Sequence, residues 1–208
     1  MKVVAVSQRV DIHPERGETR DALDQRLISF LLEAGCMPVP VPNSLHDERP
    51  LGRRFNETLG AWMLAVAPAA IVLSGGNDIG HCSVRDLTES WLLDYARDRR
   101  LPVLGLCRGM QMMAHWAGVR LHPVAGHVRS RHQLTGEIVA EVNSYHSFSP
   151  AVCPGGFRVL AQSEDGEIEA IRHQTLPWEG WMWHPEREQG FDPMDVQRLN
   201  RLFYASAS

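Results

Sequence analysis

The chain has 208 residues, of which 44% are hydrophobic and 22% charged. These values exclude a disordered or fibrous class and suit one α/β domain over residues 1–208. A formal charge of −4, with Lys2 as the only lysine, excludes a general attraction to nucleic acid. No basic leader precedes an apolar run, and no stretch approaches the ~20 apolar residues of a membrane span, so no membrane association and a cytoplasmic location are expected.

Lys2 to Val6 is an apolar run of the kind that forms a strand buried on both faces of a parallel sheet. From Asp21 to Ala34, Leu23, Leu27, Phe30, Leu31 and Ala34 recur at helical spacing, and Gly35 stands where a C-cap belongs. Met37 to Val41 reads as a second strand, Pro42 to Pro50 as a loop, and Phe55 to Val66 as a helix. Ala69 to Leu73 is a strand running into the glycine turn Ser74-Gly75-Gly76. Thr88 to Arg99 is an amphipathic helix, Pro102 to Leu106 another buried strand, and Gly109 to Ala117 the helix after it. Strands alternating with helices predict an open, mostly parallel sheet with helices on both faces. In the C-terminal half, Glu137 to Val142, Phe157 to Gln162 and Ile168 to His173 read as shorter strands, some antiparallel. Trp181-Met182-Trp183 and a last helix around Pro193 to Tyr204 follow.

Of the four cysteines, Cys36, Cys82 and Cys153 lack any CxxC spacing or turn signal and read as structural. Cys107 differs. In Gly105-Leu106-Cys107-Arg108-Gly109 a strand enters a helix through a turn with glycine two residues to either side, the arrangement that presents a nucleophile at a sharp elbow. A helix N-terminus favours the thiolate and so activates the sulfur. A thiol nucleophile needs a base, and the base an orienting acceptor. Trp183-His184-Pro185-Glu186 supplies both: in an extended segment His184 and Glu186 point to one side, and the proline keeps His184 extended. The glycines of Ser74-Gly75-Gly76-Asn77-Asp78, with the N–H of Arg108, can line an oxyanion hole.

Taken together, SGGND at 74–78, GLCRGMQ at 105–111, VNSYHS at 142–147, IEAI at 168–171 and WHPE at 183–186 resemble the class I, triad-type glutamine amidotransferases, and within them the γ-glutamyl hydrolases. The resemblance implies that Cys107 attacks a γ-glutamyl carbonyl, His184 protonates the departing amine and Glu186 fixes the imidazole, with a thioester intermediate. It also implies that Gly76 and Arg108 give the oxyanion-hole N–H groups and that Gln111 and Gly75 help hold the glutamyl group. The segment Asn143-Ser144-Tyr145-His146 is then expected near the polar end of the bound glutamate, as a binding loop, with His146 otherwise a surface loop histidine. Glu169 is read as a sheet residue that can face the cleft.

The opening Val6 to Asp11 resembles a smaller subgroup, the γ-glutamyl-CDP-amidate hydrolases of capsular phosphoramidate pathways. On that likeness Arg9, Arg108 and Arg129 are placed to meet phosphate through their guanidinium forks. Glutamyl polyamines and glutamyl-GABA stay open as other small-molecule substrates. Two other functions stay in view: a glutaminase subunit feeding ammonia to a separate synthetase, and a non-catalytic binding or redox-sensing relative. No cofactor is implied, and a homodimer is left open. His115, His122, His127 and His132 lack the i, i+4 spacing of a helical zinc site and are read as surface or substrate-loop histidines, so no metal is expected. Trp181 and Trp183, alternating along a strand, read as core.

Overall fold

A computed structural model describes residues 1–45 and 54–204, and the side chains of residues 54–56 are not described. The elements in chain order are strands β1 (Lys2–Ser7), β2 (Arg9–His13) and β3 (Glu18–Ala22), helix α1 (Gln25–Glu33), strand β4 (Cys36–Val41), helix α2 (Arg54–Val66), strand β5 (Ala70–Leu73) and helix α3 (Ser83–Arg99). Strand β6 (Val103–Leu106) and helix α4 (Arg108–Trp116) follow, then β7 (Leu121–Pro123), β8 (Val128–Gln133), β9 (Thr135–Gly136), β10 (Glu141–Tyr145) and β11 (Phe148–Pro150). Strands β12 (Phe157–Gln162), β13 (Ile168–His173) and β14 (Trp178–Trp181) precede the last helix, α5 (Pro193–Tyr204).

Eight strands form the central sheet in the order β4-β1-β5-β6-β14-β13-β12-β9. The first five run parallel and the last three are added antiparallel. Alternation along the strands divides the core in two. Val4, Val6, Ala70, Val72, Leu104 and Leu106 meet Leu27, Phe30 and Leu31 of α1 and Leu199, Leu202 and Phe203 of α5. Ala5, Ile71, Leu73 and Val103 meet Leu59 and Met63 of α2, Leu92 and Leu93 of α3, and Met110 and Met113 of α4. Each fully buried leucine of this kind contributes about 1.5–3 kcal/mol, so the parallel half is the firm platform. The expected doubly covered sheet is therefore present.

Two local readings need correction, and a third lies partly outside the described residues. The helix expected from Asp21 begins at Gln25, because Asp24 caps it by accepting the Arg26 N–H at 2.9 Å. The preceding residues instead form the β2–β3 hairpin, Arg9 opposite Ala22. The strand expected over Glu137 to Val142 forms four residues later as β10, antiparallel to β8. Of the loop Pro42 to Pro50, residues 46–50 lie outside the described residues.

Candidate active site

Cys107 follows β6 with φ 50° and ψ −105°, a conformation that non-glycine residues rarely adopt and that costs on the order of 1–3 kcal/mol. It is held there by its N–H donating to the Trp181 carbonyl at 2.7 Å and its carbonyl accepting from the Gln111 N–H at 3.1 Å. The flanking glycines are required by contact. A Cβ on Gly105 would come 2.6 Å from the Gly109 backbone, and one on Gly109 would come 2.2 Å from the Leu73 carbonyl oxygen. The elbow is thus wedged between β5 and α4.

His184 enters from the neighbouring strand. β14 pairs in parallel with β6, Trp181 opposite Leu106, so both side chains emerge at the same sheet end. The expected extended segment is instead a turn of 3-10 helix over Pro185–Arg187, closed by the Arg187 N–H on the His184 carbonyl at 3.0 Å. It brings about the same meeting: His184 Nδ1 lies 2.6 Å from Glu186 Oε1, both side chains almost wholly buried. Cys107 is near enough to the imidazole to raise its proton affinity. Burial pushes the His184 pKa down, but Cys107, through its charge, and Glu186 outweigh it and carry the value up to about 10.

The ring is boxed in. A Cβ on Gly75 would stand 2.7 Å from His184 Cε1, so only glycine leaves the imidazole its place. Tyr145, 39% exposed, meets the ring edge-on at 5.8 Å between centroids. Asn143 clamps the backbone: its Oδ1 accepts the His184 N–H at 2.9 Å and its Nδ2 donates to the His184 carbonyl at 2.8 Å.

Behind the glycine turn lies a buried ionic network that reading along the sequence missed. Arg85 donates to the Ser74 carbonyl at 2.7 Å and the Gly75 carbonyl at 3.0 Å, and pairs with Glu89 at 3.0 Å. Arg108 pairs with Glu89 and Asp86 and donates to the Asn77 carbonyl at 2.9 Å. Ser7 Oγ links Glu89 to the Ser74 N–H, at 2.7 Å and 2.9 Å. Asn77 binds both the N–H and C=O of Val10 at 2.9 Å, tying the turn to β2. The signal in the sequence was an Arg and a Glu four apart near a helix start, a spacing common on solvated faces.

Several residues expected at the substrate are engaged within the fold. The Arg108 guanidinium is 2% exposed and engaged by two carboxylates, so it does not serve the phosphate contact expected of it. Asn143 and Ser144 lie on β10 rather than in a loop, and Ser144 Oγ donates to the His127 carbonyl at 2.8 Å. His146 is 3% exposed, neither a surface nor a loop-tip histidine, and faces Glu169 and His127. His127 is equally buried, which corrects its surface reading too. Gln111 is buried, donates to the Phe148 carbonyl at 2.9 Å, and borders a hollow of about 330 Å³ with Asp78 and Arg120. Arg129 is exposed on β8 with a φ of 57°. Trp181 and Trp183 are core, stacked at 5.4 Å.

Arg9, Asp24, Gly75, Gly76, His184, Glu186 and Arg187 border a crevice of about 50 Å³. Arg9 keeps half its side chain exposed while bonding Asp11 at 2.8 Å, and its Cβ is 3.0 Å from where a Cβ of Gly76 would be. Gly76 itself has a φ of +108°. A larger hollow of about 840 Å³, bordered by Glu137 to Val142, Trp183 and Phe191, touches none of Cys107, His184 and Glu186. No helix among the described residues is long and apolar enough to cross a membrane.

The family described as glutamine amidotransferase class-I matches residues 20–200. The γ-glutamyl-CDP-amidate hydrolase of Campylobacter jejuni is 32% identical over 140 residues, 64% of this chain and 69% of that one. A glutamine-hydrolysing GMP synthase subunit of Methanosarcina mazei is 33% identical over 136 residues, 60% and 67% of the respective chains. Among solved structures, a Thermoplasma acidophilum protein provisionally described as a GMP synthase subunit superposes with a TM-score of 0.71 at 18% identity, over 99% of this chain and 96% of that one. That likeness bears on the fold.

Proposed function

We propose, from the premise that the chain belongs to the class I glutamine amidotransferase family, that it is a cytoplasmic cysteine hydrolase of γ-glutamyl amides with Cys107, His184 and Glu186 as its catalytic triad. The observation that carries this reading is that His184, bonded through Nδ1 to Glu186, follows the strand paired with the one whose strained elbow presents Cys107. The sulfur attacks the γ-carbonyl as thiolate, and the charge that develops on oxygen is met by the N–H groups of Gly76 and Arg108. The imidazolium gives its proton to the departing amine, leaving a γ-glutamyl thioester. Water, deprotonated by the now neutral His184, cleaves the thioester and releases glutamate. Glu186 holds the ring's tautomer and balances its charge.

The leaving group we propose is anionic, a nucleotide-linked phosphoramidate as in γ-glutamyl-CDP-amidate. Support comes from the likeness to the Campylobacter jejuni enzyme and from Arg9 and Arg187, two partly exposed cations at the crevice beside His184. Tyr145 and the Gly75 backbone are the remaining contacts proposed for substrate. The likeness to a GMP synthase subunit favours a second reading, a glutaminase that passes ammonia to a synthetase. Assaying the isolated chain on glutamine and on a panel of γ-glutamyl amides separates the two. Rapid release of glutamate from an anionic γ-glutamyl amide without a partner is the expected result. Glutaminase activity that appears only with a synthetase chain would reverse the choice.

A further inference from the structure

Away from Cys107, the strands of the C-terminal half gather a second set of histidines around one carboxylate. His127 Nδ1 and His146 Nε2 are 3.2 Å apart, and each is 3.3 Å from Glu169 Oε1. His127, His146 and Glu169 are at most 3% exposed. His132 lies against His127 with ring centroids 4.1 Å apart, and ligand atoms of His127, His132 and Glu169 fall within 4.8 Å of one another.

The outer partners orient the rings. His146 Nδ1 faces the Phe148 carbonyl at 3.1 Å, which only accepts, so that nitrogen donates outward and Nε2 is the atom turned to the cluster. His127 Nε2 faces Asp165 Oδ2 at 2.9 Å. Asp165 is more than half exposed and is held by Ser163 Oγ at 2.6 Å, which places it to support His127 from outside. The inner nitrogens of His127 and His146 therefore converge with a carboxylate oxygen of Glu169 in a place closed to bulk solvent. Glu169 Oε2 is buried too and has no hydrogen-bond partner. Buried imidazole and carboxylate atoms gathered this closely can hold a metal ion.

The spacing says which cation. With zinc bonds of 2.0–2.1 Å, neighbouring ligand atoms of a tetrahedral site are about 3.3 Å apart, and the three separations here are 3.2, 3.3 and 3.3 Å. Imidazole and carboxylate donors without a thiolate suit zinc. A histidine whose far nitrogen donates to a carboxylate or a backbone carbonyl is the usual outer support of such a site.

We propose that His127, His146 and Glu169 form three corners of a tetrahedral zinc site, with the half-buried His132 as the fourth ligand and Asp165 as the outer partner that orients His127. The site is structural. It joins β8, the end of β10 and β13, and so braces the strand from which Asn143 clamps His184.

The test is zinc binding by the full-length chain. Cys107→Ala serves as the background, so that the active-site thiol cannot bind the ion. After stripping with a chelator, titration with zinc chloride against a chromophoric competitor is expected to give one tight equivalent and a raised melting temperature. Asp165→Asn alters a half-exposed side chain and so keeps the fold, and it is expected to weaken zinc about 10–100-fold. Glu169→Gln is expected to abolish the tight equivalent. A chain that takes up no saturable zinc overturns the proposal. So does one whose zinc affinity is unchanged by Asp165→Asn and Glu169→Gln, since the metal then sits elsewhere.

Discussion

Glu186 and Glu169 are both buried carboxylates with one oxygen on histidine and the other without a hydrogen-bond partner. What separates them is the far side of the imidazole. His184 adjoins Cys107, which raises its proton affinity, and in the proposed mechanism a proton travels between sulfur, ring and substrate. His127 and His146 have their outer nitrogens occupied by Asp165 and the Phe148 carbonyl and turn their inner nitrogens to Glu169. On the readings proposed above, one pair of residue types transfers a proton and the other holds a cation, and their neighbours decide which.

The largest effect expected is that of Cys107→Ala. Glutamate release should fall by about 10⁴-fold or more while circular dichroism stays native, because the elbow is shaped by its glycines rather than by sulfur. Undiminished turnover would mean that the thiol is not what distinguishes the two clusters. Glu186→Gln comes next, with kcat reduced by about 10²–10⁴-fold. It also moves the pH profile. His184 is raised to about 10 from an ordinary 6.5, so its proton, and the stability that goes with it, is fully present below about 6.5 and lost as pH rises through about 10. Removing the Glu186 charge should shift the alkaline fall of activity to lower pH. An unmoved limb would show that Glu186 does not act on the ring.

Gly75→Ala pushes against His184 Cε1 and is expected to cost about 10²-fold in kcat with a small change in melting temperature, since it displaces a reacting group more than it opens the core. Glu169→Gln should have the opposite pattern, lowering the melting temperature while kcat falls less than about tenfold. Equal losses of rate in the Glu186 and Glu169 variants would break the contrast between the clusters. The smallest effect expected is that of Arg9→Ala. It raises KM for an anionic γ-glutamyl amide by about tenfold, equivalent to about 1.4 kcal/mol, and leaves a neutral one unchanged.

How much of this could be read from the sequence follows from burial. Strands such as Val103–Leu106 are covered on both faces, so they appear as plain apolar runs. The hairpin of β2 and β3 lies outside the central sheet and is largely exposed, and its polar residues carry no such pattern. The family motifs pointed to Cys107, His184 and Glu186, which the fold brings together. The 3-10 turn at Pro185 was less legible, because a proline fits an extended segment and the first turn of a helix equally well. The cluster at Glu169 was hidden for another reason. Its members come from separate strands and from the end of β10, and intervals along one segment say nothing about partners across a sheet.

The pairing of β14 with β6 also governs how such a chain can change in length. The separation of sulfur and imidazole is set by a hydrogen-bonded ladder that stops at Trp181 opposite Leu106, not by the covalent path that wanders through β7 to β13 between them. Residues added at the exposed turn around Val152 leave that ladder, and with it the reacting pair, untouched. One residue added between Trp181 and His184 would instead displace the imidazole from its place beside Gly75 and Glu186. Tolerance of insertion is therefore sharply uneven, generous over a long excursion of the chain and absent across two residues.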